Sequence, residues 1–157
     1  MKKNYNKIAK KVIDLQIKAL KKVKNSLGKS FNDAVDLLSK CQSKVILCGV
    51  GKSGLIAAKI ASTLSSVGSP AYSLSANDCL HGDLGSITKK DVLILISNSG
   101  KSEEIVPIIK FANRNKIKLI GIVSKKKSIL YKASDIKILL PEVKESGLGI
   151  VPTSSTS

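Results

Sequence analysis

Apolar residues spaced three and four apart predict that the chain begins with two helices. Between residues 5 and 27 this spacing joins Ile8, Val12, Leu15, Ala19, Leu20 and Val23. Such a period places apolar side chains on one face of a helix. Gly28 is expected to end the first helix, and Ser30 to cap a second that runs to about residue 40. The apolar faces of both helices need a partner, either a sheet or another subunit.

From residue 44 onward, short apolar runs alternate with helical patterns. Strands are predicted over residues 45–48, 71–75, 92–96, 118–123 and 136–140. Helices are predicted over residues 53–67, 103–115 and, more briefly, 128–132, with a polar loop over residues 76–85. Continuous apolar strands separated by helices are typical of a parallel sheet that is covered on both faces.

The predicted fold class is therefore α/β, a three-layer α-β-α sandwich around a five-stranded, mostly parallel, doubly wound sheet. Residues 1–42 are expected to form a helical lead-in, and residues 43–157 the domain that carries the chemistry. With 157 residues, 43% of them hydrophobic, the chain can bury a sizeable core.

The composition also bears on the compartment and on cofactors. No apolar run reaches the roughly 18 residues that span a bilayer, and no apolar stretch follows the N-terminus as in a signal peptide. The three cysteines, Cys41, Cys48 and Cys79, are irregularly spaced and predict neither a disulfide framework nor a zinc site. We expect a cytoplasmic protein without a metal.

The net charge of +16 is compatible with two interpretations. One is that the lysines are solvated on helix faces; the other is that a basic surface gathers anionic substrates or binds nucleic acid nonspecifically. Specific recognition of nucleic acid is disfavoured, because Arg114 is the only arginine, aromatic residues make up 3% of the chain and tryptophan is absent.

Two loops of small residues each follow an apolar strand and lead into a predicted helix. The first is Gly49-Val50-Gly51-Lys52-Ser53-Gly54, and the second runs from Ser97 to Glu104. Loops of this kind at a helix N-terminus can bind anions through backbone N–H groups and the helix dipole. The first loop also fits the dinucleotide pattern, but the second strand has no acidic residue at its tip, which disfavours NAD. A Walker A loop is excluded, because Ile46 stands where glycine is required.

Further candidate chemistry lies in three places. Glu103 and Glu104 are expected in the first turn of the helix after the second loop, where carboxylates are favoured. A third hydroxyl-rich cluster begins at Thr153, after Pro152, and resembles another helix N-terminus. His81 is the only histidine; it is either a surface residue or an acid–base group that Asp83 could orient.

Together these motifs resemble the sugar isomerase (SIS) domain family, and more narrowly the arabinose 5-phosphate isomerases that supply 3-deoxy-manno-octulosonate synthesis for lipopolysaccharide. The resemblance rests on the first glycine loop, on Leu80-His81-Gly82-Asp83-Leu84-Gly85, on Ser97-Asn98-Ser99-Gly100 with Glu104, and on Pro152-Thr153-Ser154-Ser155-Thr156. It implies isomerisation of D-arabinose 5-phosphate and D-ribulose 5-phosphate through an enediol, without a redox cofactor. It also implies a homodimer or homotetramer.

Isomerisation requires a base that moves a proton between C1 and C2, and a group that stabilises the developing oxyanion. Lys52, His81, Glu104 and Glu145 match active-site positions of the family. Our hypothesis makes Glu104 the base, Lys52 the oxyanion stabiliser, and His81 a ring-opening or orienting group. The residues expected to hold the phosphate are Gly51, Ser53, Ser97, Ser99, Ser102, Thr153, Ser154, Ser155 and Thr156.

The chain also departs from the family pattern. Lys101 stands where the family commonly has an acid, and residues 144–149 are about one residue shorter than usual, which shifts the alignment of Glu145 by up to one position. The family continues past the position of Ser157 with a helix, a histidine-bearing loop and usually CBS domains. We therefore expect a shortened SIS domain. Two alternatives stay open: the chain catalyses the isomerisation, or it binds a phosphosugar without catalysis, as SIS-containing regulators do.

Overall fold

The computed structural model describes residues 4–145, which form α-helices, parallel strands and one 3-10 turn. In chain order the elements are α1 (Tyr5–Ser26), α2 (Lys29–Ser39), β1 (Val45–Gly49), α3 (Lys52–Ser66), β2 (Ala71–Ser75), α4 (Ala76–Leu80), the 3-10 turn (Asp83–Ser86), β3 (Val92–Ile96), α5 (Ile105–Arg114), β4 (Lys118–Val123), α6 (Ile129–Ala133) and β5 (Ile136–Leu139).

The five strands form one sheet in the order β2-β1-β3-β4-β5, and every neighbouring pair is parallel. At the carboxyl end of β1, the Cα atom of Gly49 pairs with Ser75 of β2 on one side and with Ile96 of β3 on the other. The predicted α/β fold class is confirmed, and the sheet is parallel throughout the described residues.

Side chains alternate between the two faces of the sheet, as the pleat requires. Ile46 and Cys48 of β1 belong to a buried cluster that includes α4, α5 and α6. Val45 and Leu47 belong to a second cluster that includes residues of α2 and α3. The strands β1 and β3 are almost wholly apolar because both of their faces are covered. This arrangement is the three-layer sandwich that the sequence predicts.

The chain divides into two compact units. The described residues of the first are 4–27 and 141–145, and the second is Gly28–Leu140, which contains the whole sheet. Within the first unit, the Asn4 side chain caps α1 by accepting the Lys7 N–H, and the Lys22 ammonium donates to the carbonyl of Glu142 at 3.2 Å. The predicted boundary between residues 42 and 43 stays a prediction.

Three local expectations are wrong. Ser30 does not cap α2, because the helix begins one residue earlier and Gly28 is its N-cap. Residues 76–85 are not simply a loop: Ser75 caps the short helix α4 by accepting the Asp78 N–H, and the 3-10 turn follows. Glu103 and Glu104 precede the first turn of α5, with Glu104 at the N-cap position. Among the helices of residues 4–145, none has the length and apolar character that crossing a bilayer requires.

Candidate active site

Three of the predicted functional segments leave the sheet at the same edge. The segments after β1, β2 and β3 start from neighbouring strands, since Gly49 pairs with both Ser75 and Ile96. The chain crosses from β1 to β2 in one direction and then to β3 on the far side of β1, so the topological switch lies between β1 and β3. In open α/β sheets ligands bind outside the carboxyl ends of the strands at such a switch point. The fold thereby brings the segments of Lys52, His81 and Glu104 to one edge.

The glycines of the first loop allow the backbone to turn tightly from β1 into α3. A Cβ atom on Gly49 would lie 2.8 Å from the carbonyl carbon of Ser53, and one on Gly54 would lie 2.8 Å from the Gly49 oxygen. Gly51 has φ +56°, which side-chain-bearing residues rarely adopt. The Ser53 N–H donates to the carbonyl of Val50 at 3.1 Å, so the hydroxyl is the group of Ser53 that remains for a phosphate. Lys52 is exposed at the start of α3.

The second loop holds its serines in a defined geometry. The Ser97 hydroxyl accepts the Gly100 N–H at 3.0 Å, and the Ser99 hydroxyl accepts the Lys101 N–H at 3.3 Å. A hydroxyl that accepts such a bond keeps its own O–H to donate to an anion. Ser97 is buried, whereas Ser99 is exposed and Ser102 is half-buried. The loop therefore orients hydroxyl donors, in agreement with a phosphate site.

A support that sequence reasoning missed lies behind this loop. The Leu130 N–H of α6 donates to the Gly100 carbonyl at 3.2 Å, and the Ser124 N–H donates to the Asn98 carbonyl at 3.2 Å. Gly100 has φ +62° and packs directly on the fully buried Ser128, the N-cap of α6. In the sequence, Ser128 before α6 could indicate a helix cap. Nothing in the sequence indicates that Gly100 packs against this serine.

The two acidic residues after the loop differ in exposure. Glu104 is half-buried at the N-cap position of α5, whereas Glu103 is exposed. The helix of ten residues that follows directs its positive end toward both carboxylates. Lys101, which replaces an acid expected from the family pattern, is exposed. The more protected position of Glu104 suits a proton-transferring group, because such a group works best where it is shielded from water.

His81 ends α4, where its N–H donates to the Asp78 carbonyl at 2.9 Å. Gly82 follows with φ +123° and turns the chain into the 3-10 turn. That turn is held by Ser86, whose hydroxyl donates to the carbonyl of Asp83 at 2.7 Å and lies 3.0 Å from the hydroxyl of Tyr72. The exposed His81 side chain is thus carried by a short, internally bonded segment.

The remaining predicted site residues are Glu145 and the hydroxyl-rich cluster near the end of the chain. Glu145 is half-buried at the end of the described residues, and it belongs to the unit that contains α1. The hydroxyl-rich cluster Thr153, Ser154, Ser155 and Thr156 lies outside the described residues. Their roles, like those of the other predicted site residues, stay predictions.

Comparisons with known proteins bear on the family and the fold of this chain. The model of the SIS domain family matches residues 37–157. The chain is 40% identical over 153 residues to an uncharacterized protein of Rickettsia prowazekii, covering 98% of this chain and 48% of that protein. It is 42% identical over 147 residues to arabinose 5-phosphate isomerase KdsD of Francisella tularensis, covering 91% and 45% respectively. The chain thus spans about half the length of the curated relatives it matches.

Among solved structures, an Escherichia coli CFT073 protein in complex with arabinose 5-phosphate superposes with a TM-score of 0.91 at 35% identity. The match covers 99% of this chain and 84% of the solved chain. A likeness this extensive includes the parallel sheet and all three segments at its carboxyl edge.

Proposed function

Because the chain belongs to the SIS domain family, we propose that it interconverts D-arabinose 5-phosphate and D-ribulose 5-phosphate. The observation that carries this proposal is the meeting of the Lys52, His81 and Glu104 segments with the serine loop at the carboxyl edge of β1, β2 and β3. The relative solved with arabinose 5-phosphate supports the choice of substrate. Arabinose 5-phosphate formed in the reverse direction would serve synthesis of the lipopolysaccharide sugar 3-deoxy-manno-octulosonate, as the family resemblance implies.

In the proposed reaction, the hydroxyls of Ser97, Ser99 and Ser102 donate to the phosphate, supported by the loop geometry that leaves the O–H groups of Ser97 and Ser99 available. By the family resemblance, we also assign Gly51, Ser53 and the cluster that begins at Thr153 to phosphate binding. Anchoring the phosphate away from the reacting carbons leaves C1 and C2 to be placed against the acid–base groups.

The chemistry then needs one proton to move from C2 to C1, while the oxygen on C1 gains a proton and the oxygen on C2 loses one. His81 assists opening of the sugar ring, and the Glu104 carboxylate removes the proton from C2 of the open aldose. The electron pair of that C–H bond forms the C1–C2 double bond, and the carbonyl oxygen at C1 takes up a proton to give the enediol. Lys52 stabilises the negative charge that develops on this oxygen. Return of the proton to C1, together with loss of the proton from the hydroxyl on C2, turns C2 into the carbonyl of the ketose. Glu145 keeps the active-site role that the family resemblance implies.

The test is proton NMR of D-arabinose 5-phosphate, and separately of D-ribulose 5-phosphate, with the purified chain in D2O. Interconversion with exchange at C2 of the aldose or C1 of the ketose supports the isomerase. Saturable line broadening without exchange would instead make the chain a phosphosugar-binding module. If a folded chain gives neither exchange nor line broadening, the proposal is rejected.

A matched pair of variants tests the role of Glu104. Glu104→Gln should lower turnover by about 10²-fold or more if this carboxylate transfers the proton. Glu103→Gln removes the same charge from an exposed neighbour and should leave turnover close to that of the unaltered chain. Equal losses in the two variants would show that the charge of the loop matters and that Glu104 is not the base.

A further inference from the structure

The segment that carries His81 is buried at both ends and exposed between them. Cys79 before it and Ile87 after it are 2% and 5% exposed, and both belong to the same apolar cluster on one face of the sheet. Of residues 80–86, which lie between these two anchors, all except the half-buried Leu84 are exposed. Apolar packing therefore fixes the ends of this segment and contributes little to the part that bears the histidine.

Backbone geometry alone leaves this segment a point at which it can bend. Gly82 directly follows His81, has φ +123°, and would carry a Cβ atom with no other atom within 4 Å. Glycine in open space allows rotation at little steric cost. The His81 N–H bonds back to the Asp78 carbonyl, and the Gly85 N–H bonds to the Gly82 carbonyl at 3.0 Å. These short-range bonds shape α4 and the 3-10 turn, but they do not tie the segment to the sheet.

Two hydroxyls supply such a tie. The Ser86 hydroxyl donates to the Asp83 carbonyl at 2.7 Å and lies 3.0 Å from the Tyr72 hydroxyl. Because a carbonyl oxygen can only accept, the single proton of the Ser86 hydroxyl is already used, and Tyr72 is the donor of the second bond. The two bonds therefore run from Tyr72 through Ser86 to the Asp83 carbonyl, two residues after His81.

Tyr72 is well placed to act as the fixed end of this tie. It lies in β2, where its Cα atom pairs with that of the fully buried Ile46 in β1. Its half-buried ring packs against the same apolar cluster that holds the two ends of the segment. A tyrosine in this setting buries an apolar ring and keeps its hydroxyl for a polar partner at the surface.

We propose that Tyr72 is a positioning residue for the reaction, which acts through Ser86 to hold the turn after His81 and thereby keeps this histidine in place. The tie itself follows from hydrogen bonds and packing, whereas its effect on turnover rests on the proposed function. Without the Tyr72 hydroxyl, the segment can rotate at Gly82 while the serine loop assigned to the phosphate keeps its own support.

The tie is tested by ¹⁵N relaxation and by the ring signals of His81, the only histidine of the chain. Tyr72→Phe removes the hydroxyl and keeps the ring. We expect it to shift the His81 signals and to lower the backbone order parameters of residues 82–86 from about 0.85 toward 0.6. Ser86→Ala should do the same, and Ser86→Thr, which keeps a hydroxyl, should not. Tyr131→Phe is the matched control, because this half-buried ring packs against the same cluster from α6 and should leave both signals unchanged.

Turnover measures the positioning role. We expect Tyr72→Phe and Ser86→Ala each to lower kcat for D-arabinose 5-phosphate about tenfold, since small misplacements of acid–base groups have large effects on rate. KM should stay that of the unaltered chain, and Ser86→Thr should keep normal kcat. In a chain that already carries His81→Ala, Tyr72→Phe should cause no further loss, because residues that act as one unit are not additive. A general loss of stability would instead lower turnover in both backgrounds.

The relaxation and the kinetic results decide separate parts. Unchanged order parameters and ring signals in Tyr72→Phe would overturn the tie. A loosened turn with normal kcat, or equal losses with and without His81, would overturn the positioning role. If the unaltered chain does not turn over D-arabinose 5-phosphate, the proposed function fails and the effect on turnover fails with it, while the relaxation data still decide whether Tyr72 holds the turn.

Discussion

At the scale of single residues, a buried and multiply hydrogen-bonded carboxylate lies at the edge of the sheet opposite the candidate site. Asp91 is 1% exposed and directly precedes β3. Its carboxylate accepts the Thr88 N–H at 2.7 Å and the Thr88 hydroxyl at 3.0 Å, and both of its oxygens lie 3.1 Å from the Lys44 ammonium. Burial alone would raise the pKa of Asp91, but hydrogen bonds from Thr88, Ser43 and Lys44 outweigh it and lower the pKa to about 2.

Replacing this carboxylate gives a prediction about stability and pH. An Asp91 pKa lowered from 3.8 to about 2 stabilises the fold above pH 4, and that contribution is lost as the pH falls through the folded-state value. Asp91→Asn should therefore lower the free energy of unfolding by about 2 kcal/mol at pH 7, and the deficit should shrink between pH 4 and pH 2. Urea unfolding at several pH values measures it.

The control is Asp33→Asn, because Asp33 pairs with Lys29 on the surface, where their side chains are 43% and 86% exposed. Exposed pairs of this kind contribute little to stability, so this variant should unfold almost as the unaltered chain does. An Asp91→Asn deficit that does not change with pH would contradict the assignment to the ionised carboxylate.

At the scale of elements, the short helix α6 supports the serine loop from behind. Its N-cap, Ser128, lies directly against Gly100, and the side chain of Val123 at the end of β4 lies beside it. The loop is thereby fixed by the strand and helix that follow it in the fold, over 20 residues further along the chain. A phosphate site built from loop hydroxyls depends on support of this kind, since the surrounding residues must hold the donors in place.

Gly100→Ala tests this support. The added Cβ atom would lie 2.8 Å from the Val123 side chain and would meet Ser128, at a backbone φ of +62° that alanine rarely adopts. We expect the loop to shift, with KM for D-arabinose 5-phosphate raised about tenfold and a loss of about 1–3 kcal/mol in stability. Steady-state kinetics and thermal unfolding measure the two effects.

Gly85→Ala is the matched control, because a Cβ atom there has no atom within 4 Å and the backbone φ is not positive. This variant should keep the KM of the unaltered chain. A normal KM in Gly100→Ala, with or without a loss of stability, would show that the packing against Ser128 does not position the phosphate loop.

At the scale of the whole molecule, α1 presents an apolar face that the described chain leaves exposed. Ile13, Ile17 and Leu20 follow one another at helical spacing and are 53%, 44% and 53% exposed. Exposed apolar stripes of this kind commonly mark contacts between protein chains. They support the homodimer or homotetramer that the sequence predicts, whose existence stays a prediction.

Light scattering of the purified chain tests the assembly. We expect the mass of a dimer or tetramer, and we expect Ile17→Glu to reduce it to that of the monomer because a buried charge opposes association. Lys18→Glu introduces the same residue at the next, exposed position of α1 and should preserve the larger mass. A monomeric unaltered chain, or equal effects of the two substitutions, would contradict the role of this face.

Much of this architecture follows from patterns that are local in the chain. Hydrophobic periodicity placed every strand within a residue of its observed bounds and located the longer helices. This succeeds because an element that buries one or both faces has apolar residues at a characteristic spacing along the chain. The helix α4 was missed: its five residues are too few to show a period, and its signal was only the Ser75 cap. The start of α5 was predicted two residues too early, at Glu103, because a run of polar residues before a helix does not reveal where hydrogen bonding begins.

The sequence by itself thus determined the alternation of strands and helices, the parallel sheet that such alternation implies, and the identity of the loops that carry candidate chemistry. Only the tertiary structure decided the order β2-β1-β3-β4-β5, and with it which loops meet at one edge. It alone brought Cys48 and Cys79 into one apolar cluster and placed Ser128 against Gly100. These contacts join residues more than 25 positions apart, and their geometry comes from packing of whole elements, which no short-range pattern of residues records.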